Sequence, residues 1–568
     1  MENNKNDDIF YTNFFGNLDY IVIGSGPGGC AVSKVLTDDY NSTVFMIEAG
    51  YDQDNNNLIK YSYNAPTLEM KYFPNFFWTI PQVPQNNLPD LDCTYTNGRL
   101  FGGGSAINGE QYVKGTSKYY KQISEEYDDI DWSWLNIKKI FDENFGDDKL
   151  ISIRKAPFPE NKPGRTVINA MVNVLNTKII NNYNSFDEDY EKDNGVFTQW
   201  QYYQNKDGTR CSSSTSILKK NLYMKDNFII ADKATVVKIL FKDNKAIGVT
   251  YFRNAKSFDV YCKKAVILSA GTQTNVLLQT SGIGPKDILT KNKIDVKVDS
   301  PMVGANLYNH LIVITTINIP TNEDPDKLEK NTPINFLKSD MNKNMDIENQ
   351  KNNDIILKHS TGGGGNQNPD DKNALYSFGG FLPSDTNSSR DSEWIGIDNY
   401  NGTMSIAILQ VDPLSNGYCK VQSNDYLTVP LVSEAALQNP KDSKWFIDIL
   451  KNKFAPLVNY LNNENRKYSF NSPPQDTFIG TDKEVNEKLN DYIQSGSIVH
   501  AHHWTAQCKI GKNIKEGVVD NNGKVFGCEG LYVADTSIFP YPYDGNTAGL
   551  AYITGFVVGK KILKANKK

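Results

Sequence analysis

The stretch that most limits what this chain can fold into is Asp19-Tyr-Ile-Val-Ile-Gly-Ser-Gly-Pro-Gly-Gly-Cys30. Tyr20 to Ile23 is a short, apolar, β-branched run and reads as a strand buried on both faces. Gly24, Gly26 and Gly29 follow in G-x-G-x-x-G spacing. The first allows a tight turn, and the second lets backbone approach a pyrophosphate. The third lets a helix beginning near Cys30 lie close to the strand. That helix would offer its N-terminal amides and the positive end of its dipole to phosphate. A second apolar run, Val44-Phe-Met-Ile47, ends in Glu48, 24 residues after Gly24. A carboxylate at that distance accepts hydrogen bonds from ribose hydroxyls. A glycine triplet alone is a weak signal. Strand, glycines, helix, strand and acid in that order point to a dinucleotide-binding βαβ unit over residues 19–50. The plainer reading is a glycine-rich turn in an ordinary α/β unit.

A chain of 568 residues exceeds one compact core. Its 60 basic and 66 acidic residues nearly cancel, so it carries no electrostatic footprint for nucleic acid. Asn, Lys, Asp and Ile are used heavily, as in the product of an AT-rich genome. Seven scattered cysteines form no C-x-x-C, which argues against both zinc and a disulfide framework. Residues 1–18 read as a mobile tail; Met1 to Asp8 are polar and acidic, unlike a signal peptide. No run approaches the ~20 apolar residues of a membrane span. The expectation is therefore a cytoplasmic protein, or a virion protein if virus-encoded. Residues 51–96 read as an irregular aromatic cover, and the Lys/Asn-rich stretch 321–373 as a flexible loop or disordered insertion.

Three consecutive glycines followed by Ser105 and Asn108, within Asn97-Gly-Arg-Leu-Phe-Gly-Gly-Gly-Ser-Ala-Ile-Asn108, mark backbone that approaches something flat or anionic. This segment resembles the first signature of the glucose–methanol–choline (GMC) flavin oxidoreductases, with Phe101 and Lys121 as departures. Lys264-Ala-Val-Ile-Leu-Ser-Ala-Gly271 with Ser281-Gly-Ile-Gly-Pro285 resembles the second, less closely. Val303 to His310 resembles a further family segment, with Asn309 where Asp is usual. His310 reads as a packed structural histidine. Val519 to Pro540 resembles the family's last strand–turn–strand segment, followed by a terminal helix that begins near Asp544.

Three of the five histidines lie in Ser497-Ile-Val-His-Ala-His-His-Trp-Thr-Ala-Gln-Cys508. In an extended segment His500 and His502 share a face and His503 points away. No carboxylate or cysteine cluster accompanies them at ligand spacing, so no metal site is expected. A satisfied core histidine is the bland reading for each. The resemblance separates them: His503-Trp-Thr-Ala-Gln-Cys-Lys-Ile-Gly511 lines up with the family's active-site histidine segment and places that role on His503.

The resemblance covers nearly the whole chain. It implies an α/β fold, with a Rossmann-type FAD-binding domain over 19–150, 205–310 and 490–568. An interleaved α+β substrate domain, mostly antiparallel sheet, would use 151–204 and 311–489. It implies Gly24, Gly26, Gly29, Glu48, Gly103, Ser105, Asn108, Val236, Asp535 and Thr547 at the flavin. Val236 would meet the adenine through its backbone, and Asp535 the phosphate and ribityl chain. Ile107 stands where some members carry a flavin-linking histidine, so non-covalent FAD is expected.

The implied catalytic pair is His503 and Asn546; for Asn546 a helix N-cap is the bland reading. The implied function is oxidation of an alcohol, aryl or otherwise apolar, by hydride transfer to flavin N5 with His503 as base. Partners would be a small alcohol and oxygen or another electron acceptor, and a homodimer is compatible with the family. The alternatives are a hydroxynitrile-lyase-like enzyme and a virion-associated scaffold that retains the fold, the composition suiting a giant-virus member.

Overall fold

The computed structural model describes residues 18–61, 74–89, 91, 94–155, 162–180, 182–184, 196–320, 377–383, 390–398, 402–463 and 467–566. The tail up to residue 17 and the 321–373 stretch lie outside them.

One sheet is five-stranded and wholly parallel. Its strands are β1 (Tyr20–Ile23), β2 (Val44–Ile47), β3 (Phe228–Ala231), β4 (Ala265–Leu268) and β5 (Leu531–Val533), in spatial order β3-β2-β1-β4-β5. All four residues of β1, β2 and β4 are buried. Their continuous apolar runs follow from burial on both faces. Helix α1 (Pro27–Asp38) starts three residues earlier than the glycine spacing alone suggested. Pro27 explains the difference: its fixed φ and missing N–H suit the first helical turn, directly after Gly26. The terminal helix α2 (Ala548–Asn566) crosses α1 with the two backbones almost touching. A Cβ on Gly555 would lie 2.2 Å from the Gly28 carbonyl, so only glycine permits that approach.

The second large sheet has eight strands and is antiparallel apart from the pair of Lys178–Ile179 with Val196–Gln199. Its centre is Leu311–Asn318, Thr403–Gln410, Arg390–Asp398 and Ser377–Pro383. Leu311, Val313 and Ile317 face one side, with Trp394, Ile406 and Ile408 beside them and helical residues such as Phe446 and Leu457 covering them. Ile312, Phe381, Ile395 and Leu409 face the other side, against Val113, Tyr183 and Tyr202. This period-two alternation gives the sheet two apolar faces. A helix over Pro440–Ile449 packs below it, started by Asn439, whose side chain caps it, and by Pro440 in its first position.

The aromatic cover is more regular than expected: Phe77–Pro81 and Thr94–Gly98 form an antiparallel hairpin. Expected strands over 519–540 reduce to β5 and isolated bridges. No helix among the described residues is long and apolar enough to cross a membrane.

Candidate active site

Two short strands share one edge of Leu311–Asn318. Ser469–Ser472 pairs with its far end, and Ile498–His500 pairs with its near end, Leu311 opposite His500. Tyr308 and Thr505 then exchange backbone hydrogen bonds at 3.2 Å in both directions. Between these two pairings, Ala501 to Trp504 face only Asn309 and His310, so the longer side bulges outward. His502 completes the bulge with φ of 57°, in the left-handed region. The extended reading of the histidine cluster therefore ends at His500, and His503 leaves by the turn rather than by strand alternation.

Hydrogen bonds pin the bulge at Ala501, His503 and Trp504. Asn309 Oδ1 accepts the His503 N–H at 2.8 Å, and Asn309 Nδ2 donates to Glu434 Oε2 at 2.8 Å. Glu434 also lies 2.9 Å from His500 Nδ1, both groups being buried. An aspartate at position 309, the usual family residue, would set two carboxylates against each other; asparagine bridges instead. His310 is fully buried, but it does more than fill space. Its Nδ1 lies 2.9 Å from His503 Nδ1, with the rings perpendicular. Trp504 anchors the far end, donating its indole N–H to the Thr96 carbonyl at 3.0 Å.

Asn546 arrives from the opposite side, two residues before α2. Asp544 accepts from the Thr116 N–H and hydroxyl, and its carbonyl accepts from Arg390 Nη1 at 2.9 Å. Gly545 is required because a Cβ there would sit 2.4 Å from Val113. Asn546 Nδ2 donates to Gln111 Oε1 at 2.8 Å and lies 3.4 Å from His503 Nε2. Its Oδ1 is buried without a hydrogen-bond partner, so the side chain does not cap the helix as expected of an N-cap.

The His503 ring is half-buried and His502 exposed, yet burial by surrounding protein depresses both pKa values below the usual histidine range. Burial also pushes His310 down to about 4. The rings are neutral at pH 7, as a proton acceptor must be. Among the described residues no three His, Cys, Asp or Glu side chains group as a metal cage.

The glycine loop fits a dinucleotide. A Cβ on Gly24 or Gly29 would strike backbone at 2.5 Å and 1.9 Å, whereas one on Gly26 would meet nothing within 4 Å. Gly26 thus borders open space at an α1 N-terminus that carries no side-chain cap and no acidic residue in its first turn. Gly103, at φ of 51°, closes the other side with its own Cβ position 3.0 Å from the Gly26 Cα. Glu48, at the end of β2, accepts from the Ser25 N–H and hydroxyl and from the Gly50 N–H, each at 2.8 Å. Ser105 Oγ donates to the Gly102 carbonyl at 2.7 Å and accepts the Ser213 N–H at 3.0 Å.

Asp535 follows β5, where it accepts from Gly271 N–H, the Thr274 hydroxyl and Ser537, so it braces the turn after β4. Val236 sits at a register shift in the strand Ala234–Lys242, its side chain buried. Thr547 begins the first turn of α2, its carbonyl accepting the Ala551 N–H.

Two functional-looking groups escaped the sequence reading. Arg210 is buried and donates from Nη1 to the Ser105 carbonyl and to both oxygens of Asn108, clamping the triple-glycine segment. Buried Glu110 stands 3.4 Å from its Nε. Asn108 is therefore turned toward Arg210. The Asp207-Gly-Thr-Arg turn was the available signal.

Glu393 is the second group. A bulge at Asp391 turns Arg390 onto the same sheet face as Glu393, and the Arg390 guanidinium lies 3.7 Å over the Phe381 ring. Both Glu393 carboxylate oxygens are buried without a hydrogen-bond partner among the described residues. Burial pushes its pKa up to about 8, against the pull of Arg390. The folded state thus keeps a proton that the unfolded chain releases above its ordinary value of 4.5. Stability falls as pH rises from there to about 8, by up to roughly 5 kcal/mol. Glu393→Gln should flatten that slope in thermal unfolding at pH 5 and pH 8; an unchanged slope would refute the assignment.

Models of the N- and C-terminal parts of one family, described as GMC oxidoreductase, match residues 18–312 and 413–555. The chain is 25% identical to versicolorin B synthase of Aspergillus parasiticus, covering 94% of this chain and 86% of that protein. It is 26% identical to an oxygen-dependent choline dehydrogenase of Pectobacterium carotovorum, covering 93% and 91%. Its fold matches that of an FAD-dependent oxidoreductase from Chaetomium thermophilum with a TM-score of 0.78 at 20% identity, covering 97% of this chain and 100% of that one. The protein thus belongs to the GMC oxidoreductase family of FAD-dependent enzymes that act on alcohols.

Proposed function

We propose that this protein oxidises a small alcohol to its carbonyl, with His503 as general base and Asn546 orienting the alcohol. The observation that carries the reading is the pair itself: His503 Nε2 and the Asn546 amide lie 3.4 Å apart. Bound FAD supplies the hydride acceptor. Gly24, Gly26, Gly29, Gly103 and Glu48 would hold its adenosine and pyrophosphate part, with Ser105, Asn108, Val236, Asp535 and Thr547 around the remainder. Ile107 offers no ring nitrogen for a covalent link, which supports a non-covalent cofactor.

An alcohol must lose both its hydroxyl proton and a Cα hydride. The neutral His503 ring accepts the proton at Nε2. Asn546, held by Gln111, fixes the alcohol oxygen against that nitrogen, so the Cα–H bond has one orientation. The enclosing protein excludes bulk water and strengthens both contacts.

The test is the visible spectrum of purified protein under anaerobic titration with a panel of alcohols. Flavin bands that bleach with an apolar or aryl alcohol are the expected result. Bands that persist with every alcohol would overturn the redox reading.

A further inference from the structure

The strand edge that delivers His503 also delivers His310, and the two rings meet nitrogen to nitrogen. We propose that His310 is a positioning residue: it accepts the Nδ1 proton of His503 and so holds the His503 Nε2 lone pair toward the alcohol. The inference rests on the alcohol-oxidation reading above.

Two imidazole nitrogens at 2.9 Å cannot both present lone pairs, so one ring must carry the proton between them. Which ring it is follows from the other contacts of His310. The backbone carbonyls of Val411 and Tyr543 act as acceptors toward the His310 ring and favour a proton on it. Its Nδ1 is already engaged by His503, so that proton belongs on Nε2. A neutral imidazole then has a bare Nδ1, which can only accept. His503 Nδ1 is therefore the donor, and His503 Nε2 is left unprotonated. On its far side that nitrogen faces Asn546 Nδ2, itself a donor, which agrees with a bare Nε2.

The geometry leaves His503 little freedom to do otherwise. Asn309 holds its backbone N–H at 2.8 Å while His310 holds its ring. Two consecutive residues thus fix the main chain and the side chain of one base. His310 is fully buried, and its perpendicular ring sets the plane of His503. A base held in the wrong tautomer would present Nε2–H to the substrate and could not take its proton. In a catalytic triad, loss of the group that fixes the histidine tautomer lowers turnover by about 10⁴-fold.

The experiment uses the full-length flavin-loaded protein labelled with ¹⁵N-histidine, with His503→Gln to assign the resonances. Wild type should show His503 with Nδ1 protonated and Nε2 bare. His310→Leu, which removes the acceptor, should leave the His503 tautomers mixed and lower kcat by at least ~10²-fold with flavin absorbance retained. His310→Asn places an amide oxygen near the old Nδ1 position and should restore both the fixed tautomer and kcat to within ~10-fold.

A protonated Nε2 in wild type would overturn the proposal. So would a leucine variant that keeps tautomer and kcat, or asparagine and leucine variants that fall equally. If wild type turns over no alcohol, the functional reading fails, but the nitrogen shifts still decide the role of His310. If the leucine variant does not fold, the wild-type and asparagine spectra decide it.

Discussion

His503→Ala lowers kcat by roughly 10²–10⁴-fold while the protein keeps its flavin absorbance, because general-base catalysis by a positioned side chain is worth about that much. The expectation follows from how little else stands at the Nε2 position. Asn546 is the partner on that side, and its amide is a donor toward His503. His502 is turned away by its left-handed backbone, with its ring toward His500 and Trp504. His310 is buried behind His503, with its Nδ1 engaged by that ring. No neighbouring group can take over the proton without rebuilding the bulge. The substitution leaves the fold largely intact, since the His503 backbone N–H stays on Asn309. Stopped-flow flavin reduction checks the step directly. Wild-type reduction rates in the alanine variant, with flavin bound, would remove His503 from the mechanism.

Gly26→Ala should produce a folded protein that no longer holds FAD firmly, with affinity weaker by about 10²-fold. Gly26 has φ of −64°, which any residue can adopt, and a Cβ there meets no protein atom within 4 Å. The glycine is needed only if something outside the protein occupies that space. A methyl group pressed into a well-fitted contact costs about 1–3 kcal/mol, and 1.4 kcal/mol is tenfold in affinity. Gly29→Ala is the contrasting case. Its Cβ would fall 1.9 Å from the Gly24 carbonyl oxygen, a rigid backbone atom, so α1 must move off β1. That variant should lose thermal stability even without cofactor. Flavin retention after gel filtration and apo-protein melting temperature separate the two. Equal apo stability for both, or full flavin retention by Gly26→Ala, would refute the cradle.

The glycine loop was legible because its information is local. A turn, a close backbone approach and a helix start all lie within a dozen residues, and each demands a particular side-chain size. The same holds for β1 and β2, whose apolar runs announce burial on both faces. Arg210 and Glu393 were not legible. Each lies buried among partners far away in the chain, and a charged residue alone does not declare whether it will be buried. Asn309 and His310 were visible as a motif, yet their purpose was hidden. The histidine cluster looked extended from its spacing, and nothing in its residue types demands the left-handed turn at His502.

What the chain's own order of residues determined is the dinucleotide-binding unit and the identity of the residues that can do proton chemistry. What only the tertiary structure decided is which of them meet. Leu311 pairs with His500 and Tyr308 with Thr505, which leaves four residues opposite two. That mismatch is a property of two strands separated by almost two hundred residues, and no local propensity encodes it. It pushes His503 onto His310 on one side and toward Asn546 on the other, because a surplus of chain between fixed hydrogen bonds can only bulge.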